Sequence, residues 1–169
     1  MAAAAGGPNL LVDKHGEPFV LRPLEQADRE SLESMYRDFE PKRCAQGLPP
    51  LSEEQRTLWL DSVLGTGDHL AVIVGGKLRG HGMLIPFGPD AAELANFLHQ
   101  AIRDRGIGTA LNRALLALGR DRGIGRVWLS VEPSNGRAIR SYEKVGFRRL
   151  PSTAWAPEVE MEVRLDRDT

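Results

Sequence analysis

The chain has a single cysteine, Cys44, in 169 residues. That excludes an intramolecular disulfide and fits a reducing, cytoplasmic setting. Charge of one sign is also missing. Twenty-two Lys and Arg stand against 23 Asp and Glu, a formal net charge of −1, so no global basic field argues for nucleic acid or an anionic membrane as partner. No apolar run approaches the roughly 20 residues of a membrane span. The 4 histidines lack metal-ligand spacing, which leaves no case for a bound metal. There is no low-complexity tract, and no linker long enough to split the chain. These absences leave one globular domain, a monomer or homodimer, of a size that buries a single core. Any anion site in it must be local.

Residues 1–9 are Ala/Gly/Pro-rich without a basic start and read as a disordered leader, leaving 10–169 as the domain. Residues 10–13 and 19–22 read as short strands. Asp28 can cap a helix carrying Leu32, Met35, Tyr36 and Phe39 at helical spacing. Ser52 with Gln55 is a capping-box pattern, and the helix it opens has Leu58, Trp59, Val63 and Leu64 as its expected buried stripe. From His69 the pattern becomes a β-meander: 69–74, a Gly75-Gly76 hairpin turn, 77–86, then 92–99. A helix (107–122), a strand (127–132), a helix (135–145) and an extended tail (147–150, 159–165) follow. The expected fold class is α/β (α+β): one mixed, mostly antiparallel twisted sheet of about six or seven strands, with helices on both faces.

The hexapeptide Arg-Asp-Arg-Gly-Ile-Gly occurs twice, at residues 103–108 and 120–125. The offset equals about 25 Å along a helix at ~1.5 Å per residue. The copies therefore mark opposite ends of one helix and are not a repeat. The second is punctuation: Gly123 suits the left-handed position after a helix, Ile124 follows it, and Arg120 and Arg122 favour a helix C-terminus. The first lies at the helix start, where unpaired N–H groups and the dipole attract anions. Gly106 and Gly108 let a phosphate approach the main chain, and Arg103 and Arg105 add charge. It is not a P-loop, because no Gly-Lys-Ser/Thr follows. Nor is it a dinucleotide fingerprint, because Leu111 replaces the third glycine.

A second motif, Asn135-Gly-Arg-Ala138-Ile-Arg-Ser-Tyr142-Glu-Lys-Val-Gly146-Phe147, comes directly after a strand. With Arg103-x-x-Gly106-x-Gly108 before it, the chain resembles the GNAT superfamily of acetyl-CoA-dependent N-acetyltransferases, most specifically over residues 72–147. The resemblance implies splayed central strands that form an acetyl-CoA cleft. It implies a pyrophosphate loop of Arg103, Asp104, Arg105, Gly106, Ile107, Gly108 and Thr109, and backbone near Phe97, Leu98 and His99 that pairs with the pantetheine. Asn135, Ala138, Tyr142 and Lys144 would then lie along the coenzyme. One departure is Gln100, where many relatives carry proline.

The implied reaction is attack of a free amine on a thioester, which needs a base for the amine's proton and an acid near the sulfur. Tyr142 occupies the acid position of the motif. Glu93, on the strand expected to line the cleft, is the candidate base, directly or through water, with His81 and His99 as rivals. Tyr36 reads as packing. Cys44 stands outside the motifs and is not expected to act as a nucleophile. The acceptor is expected to enter between residues 40–51 and 151–158, which carry Glu40, Lys42, Arg43, Glu158 and Trp155. Its identity stays open among small amines, amino acids, aminoglycoside-like compounds and peptides. The alternatives are a non-catalytic acyl-CoA-binding sensor and a nucleotide-binding regulatory domain.

Overall fold

A computed structural model of the chain describes residues 7–43, 48–153 and 155–165, so Cys44 and residues 1–6 lie outside the described residues. The chain first doubles back on itself. β1 (Asn9–Val12) and β2 (Pro18–Pro23) pair antiparallel, with Asn9 opposite Leu21. Asn9, counted from sequence with the leader, therefore belongs to the sheet. The turn between them is organised by Asp13, whose Oδ1 accepts the amides of His15 at 2.8 Å and Glu17 at 3.0 Å.

Two helices follow, α1 (Arg29–Asp38) and α2 (Glu53–Val63). Leu32, Met35, Tyr36 and Phe39 are buried along α1, as their spacing predicts. Ser52 caps α2 by accepting the Gln55 amide at 3.1 Å. The buried stripe of α2 differs from expectation: Leu60 is fully buried, while Leu58 is 63% exposed. Helical spacing allowed either face, and packing against α1 and the sheet selects the one with Leu60, Trp59 and Val63.

The meander is β3 (Asp68–Val74), β4 (Lys77–Phe87) and β5 (Ala91–Leu98). Then come α3 (Ile107–Asp121), β6 (Arg126–Val131), α4 (Gly136–Lys144), β7 (Arg148–Arg149) and β8 (Val159–Arg164). The eight strands among the described residues form one sheet in the order β1-β2-β3-β4-β5-β6-β8-β7. The count exceeds the expected six or seven because both lead-in strands and the two-residue β7 join that sheet. Period-2 alternation sends side chains to opposite faces. Leu84, Ala92, Leu94, Val127 and Leu129 pack under α3 and α4 with Leu111, Leu115 and Ile139. Ala71, Met83 and Phe97 pack under α1 and α2 with Leu32, Tyr36 and Leu60.

One junction in the sheet decides what the molecule can do. Every strand pair is antiparallel except β5 and β6, and their parallel pairing spans only Ala91, Ala92 and Glu93 against Arg126, Val127 and Trp128. Beyond that point the two strands diverge and the sheet opens. No helix among the described residues is long and apolar enough to cross a membrane.

Candidate active site

The opening between β5 and β6 widens into a cleft of about 940 Å³, near the upper end for ligand pockets. Asn96, Phe97 and Leu98 line it from β5, and Glu132, Ser134 and Asn135 from the chain leaving β6. The start of α3 contributes Gly106, Gly108 and Thr109, and α4 contributes Ala138, Ser141, Tyr142 and Lys144.

At the α3 end the backbone is built to meet an anion. Gly106 caps the helix at φ +79°, a left-handed conformation that a β-branched side chain resists. A Cβ on Gly106 would point into open space, so this glycine is set by conformation and leaves the helix start uncovered. Lys14, Arg103, Arg137, Arg140 and Lys144 also line the cleft. In a chain of net charge −1 this is a strongly local basic patch, suited to phosphates.

The sequence-nominated residues divide by position. Phe97, Leu98, Arg103, Asp104, Gly106, Gly108, Thr109, Asn135, Ala138, Tyr142 and Lys144 all line the cleft. Asn135 also caps α4, its Oδ1 accepting the Ala138 amide at 3.2 Å. Ile107 is buried in the core under α3. Arg105 is turned away and committed: its Nε–H donates to Asp13 Oδ2 at 2.5 Å, and its carbonyl accepts the Lys14 amide at 3.1 Å. It tethers the β1–β2 turn to the loop and is not among the cleft-lining residues.

Arg103 lines the cleft while also working as a latch. Its guanidinium donates to the Leu98 carbonyl at 3.0 Å and to the Glu40 carbonyl, and lies 5.1 Å from the centre of the Phe39 ring. Burial and the nearby Arg137 charge lower its pKa from the usual arginine value. Gln100, the departure from proline, adds a second latch. Its amide donates to the Asp38 carbonyl at 2.7 Å and accepts the Glu40 amide at 3.0 Å.

Both rival histidines have their ring nitrogens engaged. His99 Nδ1 accepts the Ala101 amide at 3.0 Å, so Nε2 carries the hydrogen donated to Asp38 at 2.6 Å. His81 lies fully buried in a chain whose directions are fixed by its last acceptor. The Thr66 carbonyl can only accept, so His69 donates to it from Nε2 at 2.8 Å. His69 Nδ1 then accepts from His81 Nε2 at 2.9 Å, and His81 Nδ1 accepts the Tyr36 hydroxyl at 2.7 Å. Burial pushes the pKa of His81 down to about 3. Neither imidazole faces the opening.

Glu93 stands on β5 on the same face as Phe97, four residues earlier, or about 13 Å at ~3.3 Å per residue. It is exposed and is not among the cleft-lining residues. Partial desolvation, with repulsion from Glu158, raises its pKa. Tyr142 is 7% exposed, and burial pushes its phenol up to about 12 against a weaker opposing hydrogen bond with Asn96. Its ring packs edge-on against Phe147, with centroids 5.7 Å apart.

Sequence reasoning missed the polar wall that holds Tyr142. Asn96 donates to Asn112 Oδ1 at 2.6 Å, Asn112 donates to Ser141 Oγ at 3.3 Å, and Ser141 bonds Thr109 Oγ1 at 3.0 Å. The available signal was Asn112, a polar residue on the apolar stripe of a helix. Glu132 was also passed over. It lies beyond β6 and binds Arg43 Nη2 at 2.5 Å. Of the two segments expected at the acceptor entrance, the first supplies Pro41, Arg43 and Leu48 to the cleft, and the described residues of 151–158 supply none. No group of three or more metal-ligating side chains among the described residues could hold a metal ion.

A mixed sheet that parts between two parallel strands, with a glycine-started helix at the opening, defines a GNAT-type fold. The chain belongs to the acetyltransferase (GNAT) family, whose model matches residues 29–147. It is 34% identical over 102 residues to the mycothiol acetyltransferase of Rhodococcus opacus (strain B4), a match covering 59% of this chain and 28% of that protein. An uncharacterized N-acetyltransferase of Mycobacterium tuberculosis (strain ATCC 25618 / H37Rv) is 38% identical over 74 residues, 43% of this chain and 47% of that one. The chain thus spans less than half the length of these relatives. Among solved structures, the GNAT domain of S. lividans PAT superposes with a TM-score of 0.79 at 25% identity, covering 94% of this chain and 97% of that one. A GNAT superfamily phosphinothricin acetyltransferase from Sinorhizobium meliloti, solved in complex with acetyl-CoA, gives a TM-score of 0.69 at 20% identity, covering 86% and 87%.

Proposed function

We propose that the protein is a cytoplasmic N-acetyltransferase that moves the acetyl group of acetyl-CoA to a primary amine. The observation that carries this reading is the convergence of the basic, glycine-started end of α3 and the Tyr142 phenol on one opening in the sheet. The pyrophosphate would sit on the α3 start with Lys144 and Arg140 beside it. The pantetheine would run into the gap, where β5 has no strand partner beyond Glu93. The amine nitrogen then forms a bond to the carbonyl carbon as the carbon–sulfur bond breaks, its electron pair leaving on sulfur. Tyr142 keeps its proton throughout the working range and points a donor at that sulfur. A thiol has an ordinary pKa of about 8.5, well below that of this phenol. Tyr142 therefore supports the leaving thiolate chiefly through its hydrogen bond.

The amine's proton must leave before or during attack. Glu93 takes it through intervening water, since about 13 Å of strand separates it from Phe97. Its raised pKa brings it nearer the working pH, as suits a base. The reaction runs through a ternary complex, because no described cleft residue is placed to carry an acetyl group. Acetyl-CoA binds first. The segment that leads into its cradle (His99, Gln100, Arg103) also grips Asp38 and Glu40, where the acceptor loop begins.

The test is release of the coenzyme A thiol across amine classes. Tyr142→Phe should keep acetyl-CoA affinity and slow turnover about 10- to 1000-fold. Glu93→Gln should slow turnover most at low pH, where the amine is protonated, and least at high pH, where it is already free. A flat ratio across pH removes Glu93 from the role. Cys44→Ser should stay within a few-fold, with intersecting double-reciprocal lines. Acetyl-CoA binding without thiol release for any amine would make the protein a sensor instead.

A further inference from the structure

Two ion pairs join cleft-lining side chains among the described residues. Arg137 and Asp104, 2.7 Å apart, flank the α3 cradle. Arg43 and Glu132, 2.5 Å apart, face each other where the loop after α1 meets the chain leaving β6. Phe39, Pro41 and Leu48 line the cleft from that same loop, so this second pair belongs to the acceptor side. Resting on the acetyl-transfer reading above, we propose that Arg43 and Glu132 form the acceptor subsite and select a zwitterion: an α-amino acid whose ammonium takes Glu132 and whose carboxylate takes Arg43.

The argument is one of charge matching. The Arg43 and Glu132 side chains are 54% and 22% exposed, so the arginine can leave the pair for water at less cost than in a buried ion pair. A simple amine entering here gains Glu132 but leaves Arg43 unpaired beside a second positive charge. An α-amino acid carries opposite charges on neighbouring atoms, so it replaces one ion pair with two. Arg43 can also take a carboxylate through two parallel N–H donors, which fixes the ligand's orientation. A peptide N-terminus offers an amide in place of the carboxylate and forfeits that contact. The acceptor loop itself is steadied by the Gln100 and Arg103 contacts three residues before Arg43.

The experiment compares the common L-α-amino acids with their carboxamides, by coenzyme A release and by calorimetry on the protein saturated with coenzyme A. The best amino acid should exceed its carboxamide in kcat/KM, mainly through KM. Arg43→Met should reduce that ratio about 10- to 100-fold, the scale of one charge-assisted hydrogen bond. Arg43→Lys should restore part of it, which a merely structural arginine would not predict. Glu132→Gln should weaken amino acid binding by a similar factor, with acetyl-CoA affinity in each variant confirming an intact fold. Carboxamides or plain amines used as well as the acids, with a ratio unmoved in Arg43→Met, would overturn the subsite and leave acetyl transfer standing. Selective, Arg43-dependent amino acid binding without thiol release would keep the subsite and overturn acetyl transfer. Failure of every amino acid to bind would also sink the subsite.

Discussion

The two copies of Arg-Asp-Arg-Gly-Ile-Gly share a left-handed glycine at opposite ends of α3 and little else of their backbone: Asp104 has φ +63°, while Arg120 and Asp121 are helical. Gly106 and Gly123 are both left-handed, at φ +79° and +73°. Arg105 and Arg122, at the same place in each copy, both reach back to an aspartate: Asp13 in the β1–β2 turn at 2.5 Å and Asp68 at the start of β3 at 2.8 Å. Ile107 and Ile124 both pack on the core under the helix. What differs is the neighbourhood of the glycine. Gly106 precedes helix and leaves amide hydrogens exposed to a cleft. Gly123 ends it, with the Gly123 amide donating to the Arg120 carbonyl at 3.0 Å and the Ile124 amide to the Gly119 carbonyl at 2.9 Å. One string of letters fixes a bend, and its position relative to the helix decides whether the bend presents donors to a ligand or closes off acceptors.

The strongest way to break this comparison is to put valine at each glycine and measure ligand affinity. Gly106→Val or Gly108→Val should weaken acetyl-CoA about 100-fold, since a branched side chain strains the left-handed turn or crowds Leu98 and the phosphate approach. Gly123→Val and Gly125→Val should leave affinity within about two- to threefold, well under 1 kcal/mol. Equal losses by calorimetry at both ends would falsify the division of labour.

A smaller effect is expected in the melting curves. Gly123→Val should lose about 1–2 kcal/mol from forcing a side chain into a left-handed turn. Gly125→Val should also destabilise, because its Cβ would overlap the Asp90 carboxylate that accepts the Gly125 amide. Unchanged melting in both would mean that the second copy is not a helix stop.

The paired arginines sharpen the contrast further. The Asp13 side chain is enclosed, so Arg105→Ala should lower stability, while the outward Arg122→Ala should barely move it. Burial raises the Asp13 pKa, but Arg105 and the two turn amides together hold it below the ordinary value. A depressed carboxyl pKa contributes stability above its unfolded value, about 3.9, and loses it as pH falls through the folded value. The melting gap between wild type and Arg105→Ala should therefore shrink below about pH 4. A gap constant from neutral to acid pH would count against the Asp13 pairing.

The order of strands and helices, the placement of the two hexapeptides at the ends of α3, the Ser52 cap and the α1 stripe were legible along the chain because they depend on residues within a turn or two of each other. The α2 face was not, since Leu58 and Leu60 compete on equal terms until a neighbour covers one. The site shows the same split. Gly106, Gly108, Asn135 and Tyr142 could be nominated because a fixed spacing carries them. Arg105 was nominated with them by the same spacing, and only its contact with Asp13 shows that its charge is already used.

By itself the sequence determined where the backbone bends and where a helix begins with free amides, because glycine conformation and helical periodicity act over a few residues. Tertiary structure alone decided which side chains have chemistry left to offer. His99 spends its ring on Asp38, His81 on Tyr36 and His69, while Asn96 meets Asn112 and Glu132 meets Arg43 across the opening. The partners of His99 and Glu132 lie 61 and 89 residues away. A hydrogen bond or ion pair closed over such a distance depends on how the whole sheet brings its strands together, and no local pattern encodes it.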